Sequence, residues 1–220
     1  MNTISEGVVL KRTCMRDRIR DVLVARILDG TYAAGTQLKE LSLAREFNVS
    51  QTPIREALRE LEGSGLVTSE RFRGTRVRGA DFAEMRESYE LRTMLEMRSV
   101  KLAAPYPNAL LADFDEYVVE MDAAVNVNDS ERYIDASLRF HRRLVEGSGN
   151  RTFLSVWDSL LWDIRGRIAL RRLTEKGHSL DSLATLHREL LRRLRTQDTE
   201  AAATQVRFIL DRVCSAFDPA

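Results

Sequence analysis

The sequence predicts a mainly α chain in two parts: a turn-rich first third that ends in a short hairpin, then an antiparallel bundle of about six helices. Three observations predict this. Glycines at 30, 35, 63, 65, 74 and 79 make turns dense before residue 80. Helical periodicity dominates after residue 80, broken only by short polar or proline-bearing connections. Strand patterns are confined to two runs, Leu66–Ser69 and Thr75–Arg78, joined around Arg73-Gly74.

Taken in order, Ile19, Val22, Leu23 and Ile27 have helical spacing, and that helix should stop near Asp29-Gly30. Residues Thr31–Gln37 read as a turn. A short helix follows with Leu41, Ala44 and Phe47 inward, closed by Asn48-Val49-Ser50. Ser50 is a good N-cap for the next helix, and Pro53 falls in its first turn, where a missing N–H is harmless. Ile54, Ala57, Leu58 and Leu61 form one buried stripe, and Gly63-Ser64-Gly65 ends the helix. The boundary between the parts falls near Gly79–Asp81, giving units 1–79 and 80–220. In the second unit we expect helices near 81–104, 108–127, 130–147, 150–173, 179–196 and 198–216; short links favour antiparallel neighbours.

Charge divides unevenly: the net +1 of the 220-residue chain is +4 over residues 1–80 and −3 beyond. A basic module joined to a slightly acidic one suggests nucleic-acid binding at the first end. No apolar run approaches the length that spans a bilayer, and no secretory signal is visible. Cys14 and Cys214 read as structural thiols that fit a reducing cytoplasm.

Helix, short helix, tight turn, capped helix and hairpin is the order of a winged helix-turn-helix, whose second motif helix lies in the major groove. Gln51, Thr52, Arg55 and Arg59 lie opposite the apolar stripe. Arginine can fork to guanine or clamp a phosphate, and glutamine can pair with adenine. The hairpin adds Arg71, Arg73, Arg76 and Arg78, with Gly74 allowing a tight bend and Thr75 beside it. Alternatively, Arg55 and Arg59 pair with Glu56, Glu60 and Glu62 in a merely structural domain.

In the bundle, His141 lies on the stripe Ile134, Leu138, His141, Val145, and His187 on Leu180, Leu183, His187, Leu190, Leu194. Both should point inward, either as separate hydrogen-bonded core residues or as parts of one polar pocket. Arg92 follows Met85 and Tyr89 on one helix side and suits carboxylate capture, unless it pairs with Glu96 one turn on. Arg165 and Arg167 follow an apolar run and could also reach inward. Asn150 could donate to a ligand or cap its helix.

The segment Leu43–Leu61, with Gly30, Gly35, Gly65-Leu66-Val67 and Arg73-Gly74-Thr75, resembles the GntR-family signature. Many members carry arginine where this chain has Gln51. Tyr89–Glu96, Phe140-His141, Gly149-Asn150 and His187 with Asp198 resemble the FCD-type effector domain. The resemblance implies a cytoplasmic, homodimeric transcription regulator, not an enzyme. It binds an operator in double-stranded DNA and answers to a small organic acid, with no membrane partner. The resemblance implies operator contacts by Thr52, Arg55 and the wing; joined to the exposed helix face, the DNA contacts expected are Gln51, Thr52, Arg55, Arg59, Arg71, Arg73, Gly74, Thr75 and Arg76. From the residues themselves, the effector contacts expected are Arg92, Ser137, His141, Asn150, Arg165 and His187.

Many members of that family hold a divalent metal with one Asp and three His. Here Ser137 stands at the aspartate position and Ile209 in the region of the last histidine, so no metal cofactor is expected; His141 and His187 would be its only ligands. Two alternatives remain: a ligand-free bundle that only dimerises, and a helical enzyme using His141 and His187 as acid and base. No nucleophile with a neighbouring base and no phosphate loop supports the enzyme.

Overall fold

The structure, a computed structural model, describes residues 15–70, 73–78 and 81–218. Cys14 and Arg71 lie outside the described residues. The chain divides into two compact units, meeting in sequence at Gly79 and Ala80.

The first unit holds α1 (Met15–Leu28), β1 (Gln37–Leu38), α2 (Glu40–Glu46), α3 (Gln51–Gly63), β2 (Val67–Glu70) and β3 (Gly74–Val77). Ile19, Leu23, Ile54, Leu58, Leu61 and Leu66 are all buried and form its core. The expected inward faces shift slightly. Val22 and Leu41 are exposed, while Val24, Leu43 and Ala44 take the buried positions. On α2 the inward stripe therefore begins at Leu43. Ser50 occupies the N-cap position of α3 in extended conformation, but its hydroxyl makes no cap bond.

The three strands form an antiparallel sheet in the order β1-β3-β2. The two-residue β1, which periodicity cannot reveal, ties the turn before α2 to the hairpin: Gly35 N–H donates to Val77 O at 2.7 Å, and Val77 N–H to Thr36 O at 2.9 Å.

The second unit contains α4 (Phe82–Ala103), α5 (Asn108–Asn126), α6 (Ser130–Gly147), α7 (Arg151–Ser159), α8 (Trp162–Glu175), α9 (Leu180–Arg195) and α10 (Thr199–Ser215). Asp81, Asp129, Asn150, Ser179 and Asp198 each cap a helix through a side-chain oxygen. Ion pairs record the antiparallel neighbours. Lys101 meets Glu200 and Arg86 meets Asp218, so α4 and α10 run in opposite senses. Arg143 with Asp113 and Arg139 with Glu120 do the same for α6 and α5.

One expected helix is two. The pattern over 150–173 breaks at Leu160-Leu161, where Leu161 adopts a left-handed φ of 51°. The break turns both Trp157 and Trp162 inward to buried positions, which a straight helix could not do at i, i+5. Arg165 Nε closes it by donating to Leu160 O at 3.0 Å. Cys214 is a free, partly buried thiol whose pKa burial raises to about 11, so it is an inert side chain. Among the described residues no helix is long and apolar enough to cross a membrane.

Candidate nucleic-acid interface and a buried histidine cavity

In the first unit, α3 buries Ile54, Ala57, Leu58 and Leu61, which leaves Gln51, Thr52, Arg55 and Arg59 exposed on the remaining surface. Two of the three acids weighed as structural partners for these arginines, Glu60 and Glu62, are used elsewhere. Glu60 pairs with Arg16 and Arg20, and Glu62 accepts from Ser69 N–H. Arg55 instead reaches Glu40 at the start of α2: Nε lies 3.2 Å from both carboxylate oxygens and Nη2 lies 2.9 Å from one.

The hairpin is a short wing. Its turn places Gly74 at φ 78°, and a Cβ there would come within 3.3 Å of Gln37 Nε2. Gln37 donates from that nitrogen to Arg73 O at 2.9 Å, stapling the wing tip to β1. Arg73 is highly exposed and pairs with Glu70 at 3.1 Å. Arg76 is exposed and donates to Gly35 O at 3.1 Å. Strand alternation puts Thr75 on the other side. It is buried, its hydroxyl 3.0 Å from Ser69 Oγ. Its side chain therefore cannot serve as the surface contact expected of it.

In the second unit, α4, α6, α8, α9 and α10 enclose a cavity of about 50 Å³. Its polar wall is made of Arg92, Ser137, His141 and His187, among mostly apolar neighbours that include Leu170, Leu210 and Ile209. His141 and His187 meet, Nε2 to Nε2, at 3.2 Å, and Ser137 Oγ lies 3.1 Å from His187 Nε2. The two stripes read from the sequence thus converge on one site.

Behind His141 stands Glu96, fully buried. Its Oε2 is 2.6 Å from His141 Nδ1, while Oε1 accepts from Arg92 Nε at 2.5 Å and from Trp157 Nε1 at 3.0 Å. The guanidinium of Arg92 also lies 4.8 Å from the Trp162 ring centre. Burial alone would raise the Glu96 carboxyl; the Arg92 and His141 partners outweigh it and hold it at about 2. Burial lowers both imidazoles, His187 to about 3, so both are neutral at pH 7.

Glu96 is the main omission of sequence reasoning, which saw it only as an option for Arg92. The available signal was a carboxylate on an apolar helix face one turn after Arg92. Two residues expected as effector contacts, Asn150 and Arg165, are not among the side chains that line this cavity. Asn150 spends its side-chain oxygen on Thr152 N–H and Phe153 N–H as a cap. Arg165 is buried outside the cavity wall, bound to Glu84 at 2.9 Å and to Leu160 O. Arg167 turns to Glu131, Asp135 and Asp163 instead of inward.

Residues 15–77 match the family model for bacterial regulatory proteins of the gntR family, and residues 87–212 match the FCD domain. The chain belongs to the GntR family. This GntR-family chain is 30% identical over 193 residues to a probable D-xylose utilization operon transcriptional repressor of Paenarthrobacter nicotinovorans; the match spans 88% of this chain and 84% of that protein. It is 28% identical over 195 residues to the gluconate operon transcriptional repressor of Bacillus licheniformis, spanning 87% and 80%. The fold is that of a putative GntR regulator from Rhodococcus sp. RHA1, with TM-score 0.69 and 23% identity over 92% of this chain and 96% of that one. This GntR-family member is a DNA-binding transcriptional regulator and not an enzyme.

A divalent metal does not fit the residues present. Zinc sites need at least three protein N, O or S ligands. Here two imidazole nitrogens and a hydroxyl converge, Ile209 offers no donor, and Glu96 is spent on the far nitrogen of His141. Among the described residues no cluster of three or more His, Cys, Asp or Glu side chains is placed to hold a metal ion.

Proposed function

We propose that this chain is a sequence-specific operator-binding regulator whose DNA affinity is set by a small organic-acid effector in the His141–His187 cavity. Residues 1–79 form the DNA-binding domain; residues 80–220 form the effector and dimerisation domain of a cytoplasmic homodimer. Gln51, Thr52, Arg55 and Arg59 enter the major groove. Arg73, Gly74 and Arg76, with Arg71 as the sequence suggests, follow the phosphates. Supporting the DNA contacts is the exposure of this set on α3 and the wing, opposite one apolar stripe.

The observation that carries the effector reading is a polar wall of two imidazoles, a hydroxyl and Arg92 around a cavity inside an otherwise apolar bundle. The similar proteins named for xylose and gluconate operons make small oxygen-rich molecules reasonable ligands. Control requires that the effector bind two states of the regulator with different affinity. Fluorescence anisotropy of labelled operator, titrated with protein at rising concentrations of candidate acids, tests it. A shift of the operator curve supports effector control, and an unmoved curve leaves the bundle a dimerising role.

A second reading, a ligand-free bundle, draws on one observation. Arg92 already has its counter-charge in Glu96 and is not an open anion trap.

A further inference from the structure

Helix α4 carries its charges in two groups. Glu84 pairs with Arg165, Arg86 with Asp218, Arg92 with Glu96 and Lys101 with Glu200. Glu87, Glu90 and Arg98 are exposed and, among the described residues, have no ion-pair partner. All three surround Met94, which is 64% exposed. Leu91 and Met97, both half-buried, flank it. At 100° per residue this face points directly away from the buried Met85, Tyr89, Arg92, Glu96 and Ser99. It is an unpartnered helix face with an apolar centre and charged ends.

The order of those charges is self-complementary. Glu90 and Arg98 stand four residues to either side of Met94, about 6 Å along the axis each way. Leu91 and Met97 stand three residues to either side. Two such helices packed antiparallel, with Met94 on a twofold axis, bring Glu90 of each level with Arg98 of the other, and Leu91 level with Met97. Glu87 comes level with Lys101, whose ammonium also meets the exposed Glu200. Parallel packing instead sets Glu90 against Glu90 and Arg98 against Arg98, and opposed like charges disfavour it.

We infer that the outer face of α4 is an interface between two copies of this chain, with the helices antiparallel across a twofold axis at Met94. The inference rests on the homodimer of the proposed function and adds the surface and its register. An isologous contact requires one patch to complement itself, and this patch does. Methionine suits the axis, because its unbranched thioether adapts to its own copy. Two other exposed apolar residues lack this fit. Val119 on α5 has Glu116 and Asp122 three residues to either side, so a second copy there meets acid with acid. Phe208 on α10 lies beneath the Arg212 guanidinium, 5.5 Å from the ring centre.

Sedimentation velocity on the full chain, over a range of protein concentrations, tests it. Met94→Asp sets a carboxylate against its own copy and should raise the dimer dissociation constant on the order of a hundredfold. Glu90→Arg and Arg98→Glu should each raise it by about fivefold or more. The double variant Glu90→Arg/Arg98→Glu restores both cross-pairs and should return the constant close to that of the unaltered chain. On one helix the two residues are about 12 Å apart, so that recovery has no intrachain source. All three positions are exposed, and each variant should keep its helical circular dichroism. A dimer unchanged by Met94→Asp, or a double variant no tighter than the single ones, overturns the α4 contact and leaves the homodimer standing. An unaltered chain that stays monomeric at every concentration, with operator still bound, overturns the homodimer and this contact together.

Discussion

Glu40, in the first turn of α2, grips Arg55 of α3 side-on, through Nε and Nη2. The grip uses one edge of the guanidinium and leaves Nη1 and the outer Nη2 proton as an end-on fork. That fork matches guanine O6 and N7. Under the proposed function, Glu40 thus orients Arg55 of the exposed α3 face so that its remaining fork can face a base edge. Replacing Arg55 by alanine should weaken operator binding on the order of tenfold to a hundredfold. Glu40→Ala should weaken it severalfold and flatten the preference for guanine at one operator position, with the thermal midpoint unmoved. Anisotropy against an operator series substituted at each position measures both; tighter binding by Glu40→Ala would show the acid to be a competitor instead.

The wing separates charge from burial. Arg73→Ala and Arg76→Ala should each lower the slope of log K against log salt by about 1, since each would remove one of the proposed phosphate contacts. Thr75→Val should leave that slope unchanged, because its hydroxyl faces Ser69 inside the unit. A salt titration of the three variants decides.

Glu96 is fully buried and bonded to Arg92, His141 and Trp157 at once. Arg92→Met alone strands that carboxylate and should cost about 3–5 kcal/mol. Adding Glu96→Gln removes the stranded charge and keeps one acceptor oxygen, for Trp157 Nε1, while the amide nitrogen faces His141 Nδ1, which can accept from it once the imidazole proton moves to Nε2. The double variant should therefore recover a large part of the loss, giving a coupling of about 0.5–3 kcal/mol in a urea double-mutant cycle. Strict additivity would argue against the pair acting as a unit.

Acid should unfold this regulator in two overlapping stages. Both imidazoles have folded pKa values below the ordinary 6.5, with His187 at about 3. Below pH 6.5 the unfolded chain therefore binds the extra protons, and stability falls as pH drops from 6.5 toward 3. Each such group costs up to about 1.4 kcal/mol per pH unit across its window. Glu96, lowered from 4.5 to about 2, adds its own loss between those values. Urea midpoints should stay level from pH 7 to 8 and decline below 6.5. Removing the His187 imidazole by His187→Gln should shallow the decline between pH 6 and 4.

Much of this was legible in sequence because the deciding signals are local. The stripe Ile54, Ala57, Leu58, Leu61 specifies α3 and, by subtraction, the face carrying Gln51, Thr52, Arg55 and Arg59. The bounds of α4, α5, α6, α9 and α10 follow from caps and from the polar or proline-bearing links between them. Periodicity also placed His141 and His187 inward. It missed the break at Leu160-Leu161, since an all-helical apolar pattern carries no mark for one left-handed leucine. It misplaced Leu41 on α2 because apolar character alone does not say which turn of a seven-residue helix meets the core.

Sequence by itself thus determined the helix-turn-helix, the helical second unit and the inward aim of two histidines, because spacing of 3.6 residues and capping chemistry act within a few residues of chain. Only tertiary structure decided the partners. Arg92 and Glu96 on α4, His141 on α6, Trp157 on α7 and His187 on α9 meet because four helix faces pack together. A buried charge must then be neutralised by whatever those faces bring within hydrogen-bonding reach. The same logic holds at the surface, where Glu40 and Arg55, 15 residues apart, are joined by the angle between two helices.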